Sequence, residues 1–294
     1  MKFGKVEPSE EFLRPLPPDH SILQQLDPKP GLAVHLGGTQ WGMKDWVGQW
    51  YPPATPQKGY LKAYTQQFAC TELNATHYRT FAPEQVAEWA KQSASNFTFL
   101  PKLPQSVSHY RRLNNSEEPT QLFVESIRPL GNHLGPCFLQ MPENYKAEKA
   151  RDLFNYLESW PGDIHLALEL RHPSWFEDQA LFDDLTATLH NKNMNWVLTD
   201  APGRPDVLHM ASASSQIMLR YAGWDMHPLE SRRVTQWAER FAQWEETGIT
   251  DVFLCIHQPN SLRTPESAIQ FAEEIKKAKS SIQVIGTPSP LSLF

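Results

Sequence analysis

Eight short apolar runs recur along the chain, separated by stretches with helical spacing, and several of the runs end in a charged residue. Regular alternation of strand and helix signals restricts a chain to α/β architectures with a parallel sheet, because each crossover helix must cover the sheet it connects. The strand-like runs fall at residues 32–36, 70–73, 97–100, 137–141, 164–170, 196–199, 217–221 and 252–256. Helical patterns follow at 56–68, 83–93, 122–130, 147–160, 176–189, 234–246 and 265–279. Eight such units favour a closed TIM-like (β/α)8 barrel over an open doubly wound sheet. Between strands six and seven, residues 201–216 carry Pro202, Gly203 and Pro205 and no helical pattern, so an irregular connection is expected there.

Six prolines within the first 30 residues (Pro8, Pro15, Pro17, Pro18, Pro28 and Pro30) rule out a long helix or central strand. The expected organisation is therefore an arm over 1–30, one barrel domain over 31–285, and a tail over 286–294. Hydrophobic residues make up 40% and charged residues 20% of the chain, which suits a core-forming globular protein rather than a disordered one. A net charge of -6 argues against a protein that coats a nucleic-acid backbone, which needs a basic face. Cys70, Cys137 and Cys255 lie far apart with no C-x-x-C spacing and are expected to be reduced core thiols. The first residues lack the apolar core of a signal peptide and no window approaches a membrane span, so a cytoplasmic location is expected. Neither a Gly-x-Gly-x-x-Gly nor a phosphate-binding P-loop motif occurs, and the cofactor is left unknown.

Chemistry in such barrels collects at the C-terminal ends of the strands. Glu72, Lys102, Glu169 with Arg171, Asp200 and Arg220 all fall at such ends. Side chains on a strand alternate between faces, so Ala167, Glu169 and Arg171 share one face and the neighbouring leucines the other. The same alternation pairs Glu72 with Asn74, Lys102 with Leu100, Gln140 with Phe138, Asp200 with Leu198, and Arg220 with Met218. Taken as one ring, the six charges sum to zero, three of each sign. A self-satisfying ion-pair network closing the barrel top is thus a serious alternative to a functional site, since removing one partner would strand another charge at about 3–5 kcal/mol.

The functional reading assigns catalysis to Glu169, Glu72, Asp200 and Lys102, with Glu169 as base and Lys102, Arg171 and Arg220 gripping a small polar or anionic substrate. Asn74 and Gln140 would add polar contacts, and Trp41 and Trp175 aromatic walls. That describes a hydrolase or lyase. The alternatives are a non-catalytic binding module for a phosphorylated metabolite or nucleotide, a glycosidase-like carboxylate pair, and a metal-dependent carboxylate site built on Glu72, Glu169 and Asp200. No His-x-His or His-Glu-x-x-His supports the metal, and no Gly-x-Ser-x-Gly elbow supports a serine nucleophile, with Ser174 better read as a helix cap. A protein-docking scaffold using Trp46, Trp50 and Tyr51 is a further option, although these aromatics more naturally fold over the first loop.

The residues also resemble the YecE-like proteins, catalogued as a domain of unknown function, from about residue 34 to residue 271. The resemblance rests on Gly37-Gly38-Thr39-Gln40-Trp41, on Trp46-Val47-Gly48-Gln49-Trp50-Tyr51-Pro52, and on Glu72-Leu73-Asn74-Ala75-Thr76-His77-Tyr78. It continues through Phe97-Thr98-Phe99 leading to Lys102 and His109, Leu139-Gln140-Met141-Pro142, Glu169-Leu170-Arg171-His172-Pro173-Ser174-Trp175, Asp200, and Arg220 with Gly223. It implies a TIM-like barrel with an open, charge-lined mouth, adds Tyr78 and His172 to the candidate binding residues, and carries no assigned activity. The chain departs from the family pattern at Ala222, where a histidine is expected, and at His257-Gln258, where an Asn-Asn pair is expected. Tyr78 also stands where the family tends to have phenylalanine.

Overall fold

The computed structural model describes residues 6–291; the outermost residues of the expected arm (1–5) and tail (292–294) lie outside the described residues. Eight parallel strands form the barrel: β1 (Ala33–Gly38), β2 (Cys70–Leu73), β3 (Thr98–Pro101), β4 (Cys137–Gln140), β5 (Leu166–Glu169), β6 (Asn195–Asp200), β7 (Gln216–Ala222) and β8 (Asp251–His257). They pair in the order β3-β2-β1-β8-β7-β6-β5-β4. The seam between β3 and β4 is closed by single bridges, Phe99 with Leu134 and Lys102 with Phe138, rather than by a continuous ladder. This is the nearly closed TIM-like barrel that the strand count implies.

Each strand is covered on both faces, which is why it reads as an apolar run. Cys70, Leu100, Phe138, Ala167, Val197, Met218, Phe253 and Cys255 fill the barrel interior. Intervening residues such as Leu166, Leu168 and Leu198 belong to the second core, between barrel and helices. Gly37 is required by the approach of β1 to β2: a Cβ there would lie 2.1 Å from the carbonyl oxygen of Cys70.

The outer layer contains α1 (Tyr60–Gln67), α2 (Ala75–Tyr78), α3 (Pro83–Gln92), α4 (Glu117–Ile127), α5 (Ala150–Ser159), α6 (Ser174–Glu177), α7 (Gln179–Asn191), α8 (Pro228–Trp244) and α9 (Thr264–Ala278). Prolines open α3 and α8, where the missing N–H has no intrahelical partner to lose. The Asp178 carboxylate caps α7 by accepting from the Leu181 N–H at 3.1 Å. Helix α4 begins earlier than its apolar pattern, with Glu117 and Glu118 in the first turn beside the positive end of the helix dipole.

Between β6 and β7 there is only a 3-10 turn, Pro205–Val207, as the proline and glycine content implies. The N-terminal arm lies across the resulting gap. Its two 3-10 turns, Glu10–Leu13 and Ser21–Gln25, bury Leu13, Ile22 and Leu23. His20 reaches Asp183 of α7 at 2.9 Å and its N–H donates to the Met210 carbonyl. From α8, Arg240 donates to Asp19 at 2.7 Å and Arg233 to the Arg14 carbonyl at 2.8 Å. A segment too proline-rich to be helical thus occupies the position of the absent helix.

A short ninth strand, β9 (Gln283–Ile285), which has too few residues to show a period, pairs in parallel with Ala33, Val34 and His35 of β1. It extends the sheet below the point where β2 begins.

Candidate functional site

Directly above the apolar interior, the next inward residue of several strands is polar. Alternation from Cys70, Leu100, Phe138, Ala167, Met218 and Cys255 delivers Glu72, Lys102, Gln140, Glu169, Arg220 and His257 to one ring at the C-terminal mouth. Arg220 is its hub. Its Nε and Nη2 donate to the Glu72 carboxylate at 2.8 and 3.0 Å, and its Nη1 to both oxygens of Glu169 at 2.9 and 2.7 Å. Glu72 also bonds His257 Nε2 at 2.8 Å. Glu169 further accepts from Arg171 Nε at 2.7 Å and from Gln140 Nε2 at 2.8 Å. Lys102 Nζ donates to Gln140 Oε1 at 2.7 Å.

The electrostatics follow from this wiring. Burial alone would raise the Glu72 and Glu169 carboxyls, but the surrounding cations outweigh it. Arg220 and His257 hold Glu72 well below the usual carboxylate range, and Arg171 with Arg220 brings Glu169 to about 2. Lys102 moves the opposite way for a cation: burial, then the neighbouring Arg220, push it from 10.5 down to about 8, with Glu72 and Glu169 offsetting only part of this. No carboxylate lies within ion-pair distance of its ammonium among the described residues. Burial and the Lys102 charge also lower two histidines on that side, His109 and His77, the latter to about 4. Their rings stand edge to face at 4.9 Å, and His77 is fixed by a bond from Nδ1 to the Leu103 carbonyl at 2.8 Å.

Three expected members do not join the ring. Asp200 follows Thr199, and it is Thr199, in register beside Arg220, that shares the inward face of Val197. Asp200 turns outward to α8, bound by Arg233 Nε at 2.9 Å and Trp237 Nε1 at 2.7 Å. Trp175 is not a wall of the mouth: it is fully buried, stacked on Tyr145 and donating to that residue's carbonyl at 2.6 Å. Trp41 packs edge-on against Trp89 and Phe99 on the helix side of the barrel. Trp46, Trp50 and Tyr51 are buried and form no exposed patch.

The remaining candidates flank the ring. Asn74 is half-buried at the β2–α2 junction, and Tyr78 is exposed on the rim. His172 Nδ1 bonds the Ser174 hydroxyl at 2.9 Å, and that hydroxyl accepts from the Ala147 N–H, so Ser174 ties two loops together instead of capping a helix. Sequence reasoning missed Thr199 and the roles of His257, His77 and His109. Period two counted from Val197 and Cys255 would have found the first two. The Thr199 hydroxyl is buried without a hydrogen-bond partner among the described residues, a state that a bound oxygen would relieve.

With Asp200 and Glu72 on opposite faces, no three His, Cys, Asp or Glu side chains among the described residues converge in a way that could hold a metal. A groove of about 550 Å³ runs elsewhere, between α4 and α5, lined by residues such as Gln121, Asn155 and Tyr156 and by none of the ring. Convergent buried charge, not volume, marks the ring as the candidate site. The mouth is narrow, with Arg171 13% and His257 20% exposed, and admits only a small ligand.

Fold and ring together define an α/β-barrel protein of the TIM type with a buried ionic cluster at its catalytic end. Residues 35–291 match the family described as "Protein of unknown function DUF72", and the chain belongs to that family. It is 26% identical over 280 residues to the UPF0759 protein YecE of Escherichia coli (strain K12), covering 89% of this chain and 100% of that one. To the UPF0759 protein YunF of Bacillus subtilis (strain 168) it is 29% identical over 150 residues, 49% of this chain and 52% of the other. Its fold is similar to a DUF72 family protein from Enterococcus faecalis, with a TM-score of 0.63, 18% identity, and coverage of 86% and 99% of the two chains. It is also similar to one from Thermotoga maritima, with a TM-score of 0.62, 22% identity, and coverage of 83% and 98%. No helix among the described residues is long and apolar enough to cross a membrane.

Proposed function

We propose that the barrel mouth binds a small anionic substrate and acts on it as a hydrolase or lyase. The observation that carries this reading is the charge count of the ring. With Asp200 turned outward, Lys102, Arg171 and Arg220 face only Glu72 and Glu169, a surplus of one positive charge in a nearly water-excluded setting. An anion restores neutrality there, and low dielectric makes that attraction strong. Glu169, at about 2, is too weak a base to lead the chemistry, so its part is to orient Arg220 and Arg171. A glycosidase needs one protonated carboxyl, and both carboxyls here are held ionised. The three buried, unpaired thiols fit a reducing compartment, and a cytoplasmic location belongs to the same reading.

The test pairs binding with turnover. Inorganic phosphate, acetate and pyruvate should raise the thermal midpoint of the wild-type protein and not that of Arg171→Gln, and any anion that does so is followed by proton NMR for conversion. Equal midpoints with and without every anion would overturn the anion site. Stabilisation with no conversion of any anion would favour the non-catalytic binding module, which the saturation of both carboxylates also favours.

A further inference from the structure

We propose that Lys102 is a nucleophilic amine that forms an imine with a small α-oxo carboxylate held in the barrel mouth. This deepens the anion-site reading and rests on it. The ammonium is 8% exposed, makes one hydrogen bond, to Gln140, and stands over the Phe138 ring, with its nitrogen 5.8 Å from the ring centroid. Its backbone is fixed from two sides: the Lys102 carbonyl accepts from the Thr76 hydroxyl at 2.8 Å, and the residue bridges to Phe138 of β4. The carboxylates that would ordinarily neutralise such a lysine are each gripped by Arg220, which leaves the ammonium with no ion-pair partner among the described residues.

A buried lysine beside other cations is the arrangement that releases a neutral amine near physiological pH. The charged and titratable groups facing it are Arg220, Arg171, Glu72 and Glu169 from the opposite strand ends and His77 and His109 from the adjoining loops. Their net effect, together with burial, brings Lys102 to about 8. At pH 7 that gives about 300 times more neutral amine than an ordinary lysine. An α-oxo carboxylate meets both features of the mouth: its carboxylate balances the surplus positive charge, and its adjacent carbonyl carbon is the electrophile.

The step balances without an outside reagent. The Nζ lone pair adds to the carbonyl carbon as the C=O pair moves to oxygen, and that oxygen takes a proton to give a carbinolamine. Loss of water then leaves a protonated imine, so that ammonium plus carbonyl becomes iminium plus water. The iminium draws electrons from the neighbouring carbon, the activation that a carbon–carbon lyase or a decarboxylation uses.

The test incubates the full chain with glyoxylate or pyruvate and sodium cyanoborohydride, which delivers hydride to the imine carbon and fixes it as a secondary amine for peptide mass mapping. The expected result is one dominant adduct, on Lys102, whose rate is half-maximal near pH 8 and which inorganic phosphate suppresses. Lys102→Arg and Lys102→Met should both lose it while retaining the wild-type circular dichroism. Labelling of Lys102 no faster than that of surface lysines overturns the imine. If phosphate still raises the midpoint in that case, the anion site stands and only the nucleophile falls. If phosphate has no effect either, both fall together.

Discussion

Arg220 joins two buried carboxylates, and its removal would leave both without their shared counter-ion. Arg220→Met is expected to cost about 3–5 kcal/mol in urea denaturation, and simultaneous replacement of Glu72 and Glu169 by leucine should recover most of that loss, because an apolar triad carries no desolvation penalty. A loss below 1 kcal/mol for the single variant would mean that water reaches the ring. Acid should act through the same carboxylates. A group held below its unfolded value stabilises the protein above that value, so the contribution of Glu169 is lost as pH falls from 4.5 toward about 2. Lys102 has the opposite linkage. With its folded value near 8 against 10.5 when exposed, the unfolded chain binds more protons between those limits, so its contribution to stability rises with pH across that window. Denaturation at pH 7, 8, 9 and 10 should show the wild type gaining on Lys102→Met, by about 3 kcal/mol over the full window; parallel profiles would mean that the ammonium is not desolvated. Residue-scale legibility was uneven. Glu72, Lys102, Gln140, Glu169 and Arg220 could be placed by counting in twos along their strands, whereas a charge at a strand end was an unreliable sign in Asp200, whose partner in the period, Leu198, already faces the helices.

At the scale of elements, the arm does the work of a helix. Leu13, Ile22 and Leu23 are buried against the flank between α7 and α8, at about 1.5–3 kcal/mol each for the apolar surface removed from water. Asp19 adds a carboxylate shared by Arg240 and by Trp244 Nε1, the latter at 3.0 Å. A chain lacking its first 26 residues is therefore expected to unfold at markedly lower urea and to bind a hydrophobic dye, and unchanged stability would show that the arm is merely laid on the surface. The proline pattern announces that this segment is neither helix nor strand, and the empty stretch after β6 announces that a helix is missing. No local signal connects the two, since they are separated by roughly 180 residues. Strand β9 escaped for a different reason: three residues show no period, and it is a strand because β1 offers it an edge.

For the molecule as a whole, the barrel closes unevenly. Strands β7 and β8 pair along seven residues, while β3 and β4 share only the Lys102–Phe138 bridge. Amide exchange should accordingly be slowest in β7 and β8 and fastest, among the barrel strands, along β3 and β4, because local opening begins where fewest hydrogen bonds must break together. Uniform protection around the barrel would contradict this. The seam also borders the proposed amine, so a ligand bound at Lys102 should slow exchange there first.

The amino-acid sequence determined by itself that this chain is an α/β barrel, since the period of its apolar residues is a local property that survives in any one stretch of chain. It also determined which strand ends carry charge. Which charges meet was decided only by the tertiary structure: closure of the sheet brought residues 72, 169 and 220 onto one guanidinium and turned residue 200 toward a helix. Burial likewise belongs to the assembled barrel, and with it the shift that sets Lys102 apart from every exposed lysine, because a pKa is changed by desolvation and by neighbours brought in from distant strands.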